Sequence, residues 1–103
     1  MSEYSSDIAK YTKSVNEAAV AAIVKYCGIA LRNTDSSLVA GTDPKELATV
    51  RNGFAAKKLG LAPDAADAGM MTVIGKMAGI NRKHRVTFYY LLAEATGTLG
   101  KLA

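Results

Sequence analysis

Apolar residues recur at spacings of three and four along almost the whole chain, and nowhere do they alternate for the length of a strand. A chain written this way buries stripes of helix and has no face to offer a sheet. Tyr4, Ile8, Tyr11 and Val15 form the first stripe, with Ser5 or Ser6 suited to the N-cap and Asp7 to the first turn. Ser14 followed by Glu17 reads as a capping box, opening a second helix near Val15 that runs to about Leu31. That helix carries two apolar stripes, one through Ala19, Ala22 and Tyr26 and one through Val20, Val24 and Cys27. It therefore reads as the central helix of a bundle.

Punctuation divides the remainder. Asp43, Pro44 and Glu46 open a third helix, whose buried side is Leu47, Val50, Phe54 and Leu61, and Gly60 stops it after Lys57 and Lys58. Before it, the stretch from Arg32 to Gly41 reads as a loop in which Leu38 and Val39 dip toward the core through a short turn capped by Asp35. Pro63 and Asp64 start a fourth helix facing inward through Ala66, Met70, Val73, Ile74 and Met77, with Gly79 as its stop. Gly69 and Gly75 lie inside it, which indicates either close helix contact or local looseness. Asn81 caps a last helix through Val86, Tyr89, Leu92 and Ala93 toward Gly97. The fold class is all-α: a compact single-domain bundle of about five helices with short loops, spanning residues 1–103. Residues 1–14 are expected to form a short N-terminal helix, loosely attached.

Composition agrees. With 50% hydrophobic and 21% charged residues, the chain is too apolar for disorder, and no run approaches the ~20 residues of a membrane span. Met1 to Lys13 contains Glu3 and Asp7 and has no secretory pattern. Cys27 is the single cysteine, so no internal disulfide forms, and no Cys/His cluster offers a metal site. A cytoplasmic protein is expected.

The segment DSSLVAGTDPKELATVRNGFAAKKLGL, Asp35 to Leu61, carries a Thr42–Asp43 helix start with Glu46–Leu47, a Val50–Arg51 step and a Lys57–Lys58–Leu59–Gly60–Leu61 end. Together with NRKHRVTFYYLLAE, Asn81 to Glu94, it resembles a bacterial domain-of-unknown-function family, DUF family 2853. The resemblance covers about the last three quarters of the chain. It implies a small helical bacterial protein and brings no activity, cofactor or active site.

Charge is uneven. Residues 1–75 balance, and the whole net charge of +4 falls in residues 76–103. Arg82, Lys83, His84 and Arg85 would place cations in the first turn of the last helix, where the dipole disfavours them and a bound anion would relieve them. Arg82, Lys83 and Arg85 are thus a candidate anion or nucleic-acid site. Gly75, Gly79 and Ile80 fit a helix-turn-helix, but Phe88 to Leu92 make a poor groove-facing surface. Phe88, Tyr89 and Tyr90 point three ways around one helix, so Met71, Phe88 and Tyr90 are a candidate protein interface.

Catalysis is poorly supplied. Cys27 lies on an apolar stripe away from a polar niche, and His84 sits among cations. The carboxylates read as helix starters, and the glycines match no phosphate loop. Asp35, Ser36, Ser37, Thr42 and Asp43 read as capping groups, since their spacing lacks the order of a calcium loop. The sequence therefore points to a non-catalytic, cofactor-free protein-interaction or self-associating module, with weak nucleic-acid or anion binding through Arg82–Arg85 as the alternative.

Overall fold

The computed structural model describes residues 3–28, 38–40, 44–77 and 82–102, with residues 3, 38–40, 82 and 83 described by backbone alone. The elements in chain order are α1 (Glu3–Ile8), α2 (Glu17–Cys27), β1 (Leu38–Ala40), α3 (Pro44–Val50), a π-helical segment (Arg51–Lys58), α4 (Pro63–Lys76), β2 (Arg82–His84), α5 (Arg85–Ala95) and a 3-10 turn (Leu99–Lys101). The all-α bundle stands, with one addition: β1 and β2 form a short antiparallel ribbon pairing Leu38 with His84, Val39 with Lys83 and Ala40 with Arg82. Three-residue strands are too short to show alternation, so periodicity could not reveal them. The expected caps Asp35, Asp43 and Asn81 and the stop Gly79 lie outside the described residues.

α5, not α2, is the central helix. Nine consecutive residues, Arg85 to Ala93, are buried, and α5 packs on α1, α2 and α4. Phe88, Tyr89, Tyr90, Leu91 and Leu92 each remove a large apolar area from water, so the chain gains most by surrounding them. α2 buries Ala19, Val20, Ile23 and Cys27 and leaves Ala18 and Ala21 exposed. Its alanines have little area to gain, which is why apolar residues around most of the helix did not draw it to the centre.

α2 begins at Glu17 with Asn16 as its cap, the Asn16 side chain accepting from the Ala19 N–H at 3.1 Å. The Ser14–Glu17 box does not form. Glu17 instead accepts from Ser5 Oγ at 2.6 Å, and the Ser14 carbonyl accepts from the Tyr90 hydroxyl at 3.4 Å. In α1, Ser5 and Ile8 are fully buried. Asp7, near the end of α1 rather than its start, accepts from Thr87 of α5 at 2.5 Å and pairs with Lys10 at 3.5 Å. Thr12 donates to Glu94 at 2.7 Å, extending the same seam.

The third helix changes pitch midway. After Val50, the buried residues are Phe54, Ala55 and Leu59, and the Leu59 N–H reaches the Phe54 carbonyl, one π turn back. A five-residue step keeps Leu59 inward where an α-helical step would turn it away. Gly60, at φ +64°, ends the segment as expected. Lys101 Nζ donates to the Leu59 carbonyl at 2.9 Å.

The two glycines inside α4 resolve into opposite cases. A Cβ on Gly69 would lie 2.6 Å from Thr96 Cγ2 and 2.8 Å from Leu92 Cδ1, so this glycine sets how closely α4 and α5 approach. A Cβ on Gly75 would meet nothing within 4 Å. Gly69→Ala is therefore expected to destabilise by about 1–3 kcal/mol, and Gly75→Ala to stabilise by about 0.5–1 kcal/mol. Thermal unfolding of the two variants should move Tm in opposite directions, and a common direction would refute the assignment.

Candidate functional site

The densest chemistry sits where the first turn of α5 meets α3, α2 and the π segment. Arg85 follows His84, whose extended backbone provides no side-chain cap. A cation at that helix end is disfavoured by the dipole, and its surroundings compensate. Arg85 Nη1 donates to Tyr89 Oη at 2.9 Å, one helical turn on, and Nη2 donates to Glu46 Oε1 at 3.2 Å. Arg85 is 8% exposed, with its guanidinium 5.7 Å from the Tyr89 ring centre. Burial works against its charge, but Tyr89 and Glu46 outweigh burial and hold the guanidinium above its usual range.

Three aromatic rings continue the cluster. Tyr89 stacks on Phe54 at 4.2 Å and 17°, and Tyr26 tilts against Phe54 at 5.4 Å. Lys58 Nζ lies 5.5 Å over the Tyr26 ring, closing the cluster at the surface. Burial pushes the Tyr89 phenol upward against the pull of Arg85. Cys27 is buried beside these groups, and burial drives its thiol up to about 11 although Arg85 opposes the rise. The cluster thus has its donors and acceptors engaged with one another and a thiol held protonated. Chemically it is a pin between helices and a poor source of nucleophile or base.

Two results should follow for Cys27. At pH 8 about a thousandth of the thiol is ionised, so a disulfide reagent should label native protein slowly and denatured protein at once. The second concerns alkaline stability. The folded thiol titrates near 11 against an ordinary 9.0, so its contribution is full below pH 9 and lost as pH rises through 11. Denaturation followed from pH 8 to 11 should show a shallower alkaline decline for Cys27→Ala than for the parent chain.

The candidate anion triplet does not assemble as expected. Arg82 and Lys83 belong to the extended backbone of β2, not to a helical turn, and their side chains lie outside the described residues. Arg85 points into the interior and is paired with Glu46. The candidate interface also divides. Met71 is 68% exposed on α4, whereas Phe88 and Tyr90 are buried at 0% and 1%. The Tyr90 hydroxyl turns inward, accepting from the Asn16 N–H at 2.9 Å. The three-way aromatic helix is covered by its own chain, so only Met71 of that set presents a surface.

What sequence reasoning missed is the outer flank of α2. A groove of about 350 Å³ runs along it, lined among the described residues by Glu17, Val20, Ala21, Val24 and Lys25. Val20 itself is buried, and the signal lies beside it in Ala21 and Val24, the exposed and half-buried apolar positions of the helix. A larger opening of about 480 Å³ lies at the Ala9–Lys13 turn, where Lys10 is already engaged with Asp7.

Among the described residues, no three His, Cys, Asp or Glu side chains gather to hold a metal ion, and no helix is long and apolar enough to cross a membrane. A family model described as "Protein of unknown function (DUF2853)" matches residues 3–100. Among curated proteins, none matches the chain.

Proposed function

Since the chain belongs to that family of unknown function, its role has to be read from its own geometry, and we propose that it is a non-catalytic interaction module that self-associates. The supporting observation is the division between interior and surface. Arg85, Tyr89 and Cys27 are buried, and Arg85 is spent on Tyr89 and the half-buried Glu46, while α2 turns an apolar flank with charged ends outward. Its one cysteine is kept as a buried free thiol, which suits the reducing cytoplasm of a bacterial cell.

Sedimentation of the full chain across concentration and salt, beside fluorescence anisotropy of labelled duplex and single-stranded nucleic acid, tests this reading. The expected result is a concentration-dependent rise in mass that persists at high salt, with no nucleic-acid binding. A monomer at every concentration, with micromolar nucleic-acid binding that weakens steeply with salt, would overturn it and favour the basic segment around Arg82 and Lys83.

A further inference from the structure

Resting on that self-association reading, we infer that α2 is the contact element of a two-fold homodimer, docking antiparallel on α2 of a second copy with Ala21 at the axis. Glu17, Ala21 and Lys25 are spaced four apart and lie along one line of the helix. Opposite charges thus stand at equal distances on either side of Ala21, about 6 Å each way along the axis. A two-fold axis through Ala21 sets Lys25 of each copy against Glu17 of the other, and Ala18 against Val24.

Charge decides both the partner and its direction. Parallel docking would place Glu17 on Glu17 and Lys25 on Lys25, and a uniformly acidic or basic partner would satisfy only one end of the groove. A second copy laid antiparallel satisfies both ends and sets the two helix dipoles head to tail. Glu17 is already oriented, because Ser5 donates to its Oε1 at 2.6 Å. Lys25 is exposed and has no partner among the described residues. Between the charges, Ala18 and Ala21 are exposed and small, which allows the helix axes to approach to about 8 Å. An 11-residue helix covers less than the ~800 Å² per partner of a standard interface, so the dimer is weak and concentration-dependent.

Sedimentation equilibrium of the full chain to about 1 mM, with circular dichroism to confirm helix content, provides the test. Ala21→Arg should weaken dimerisation at least tenfold by placing two cations on the axis, and Lys25→Glu about tenfold by opposing two carboxylates. Glu17→Lys/Lys25→Glu should return to within about threefold of the parent, because the exchange preserves both pairs. Ala21→Cys should form a covalent dimer under mild oxidation, while the parent, whose Cys27 is buried, should not. If Ala21→Arg loses helicity, the cross-link decides in its place. A dimer indifferent to these changes would overturn the α2 interface and leave self-association standing. A parent chain that stays monomeric throughout would overturn both.

Discussion

Phe54→Ala is expected to remove about 4 kcal/mol of stability, lowering Tm by roughly 20 °C. Phe54 is 1% exposed and lies between two rings, stacked on Tyr89 and tilted against Tyr26. Truncation loses the transfer free energy of the ring, leaves a cavity under the π segment, and removes the stacking partner of a phenol that orients Arg85. The cavity has little means of collapse, because Val50 and Leu59, which flank that segment, and Tyr89 on α5 are themselves fixed by burial. Against a typical total of about 5–15 kcal/mol, such a loss is a large share of the fold's margin. Denaturant unfolding measures it directly. Tyr26→Ala gives the scale, since Tyr26 is 39% exposed and should cost about half as much or less. Equal costs at the two positions would show that the cluster is not organised around Phe54.

How far this architecture was legible depends on what each residue reports. Pro63 at the start of α4 and Gly60 past the π segment act locally, through a fixed φ and a left-handed φ, and both appear where the sequence placed them. The direction in which a residue faces is a collective property and was read less well. Met71 and Phe88 are both apolar and helical, yet Met71 is 68% exposed while Phe88 is buried. The difference comes from neighbours distant in sequence, with α1 and α4 closing over α5. Asp7 and Glu17 illustrate the same limit. Each is explicable as a charge at a helix start, and each accepts a hydroxyl hydrogen bond from another helix, through Thr87 and Ser5. The Arg82–Arg85 run shows it most sharply. Four adjacent polar residues looked like one surface turn, but the switch from strand to helix between His84 and Arg85 sends Arg85 inside.

That inward turn gives the second large effect. Arg85→Ala is expected to cost about 3 kcal/mol, because it strips the partner from Glu46 and the donor from Tyr89 while leaving both in place. The Glu46 side chain is 29% exposed, so water softens the penalty for the abandoned carboxylate. The Tyr89 hydroxyl is more deeply held and loses its hydrogen bond outright. Arg85→Lys should recover only part of the loss, since an ammonium on a shorter reach does not span Tyr89 and Glu46 together. A cycle of Arg85→Ala, Glu46→Ala and the double variant should yield a coupling of about 1–2 kcal/mol. Arg85→Met should cost less than Arg85→Ala, because it refills the space that the guanidinium stem occupies. These outcomes also divide structure from binding at a residue that the sequence marked as an anion ligand. If Arg85 pins helices together, its variants lose stability in proportion to the contacts removed. If it binds an anion, Arg85→Ala loses ligand affinity with unfolding unchanged. Its burial, and the 2.9 and 3.2 Å bonds that consume two of its nitrogens, set the expected result on the side of the pin.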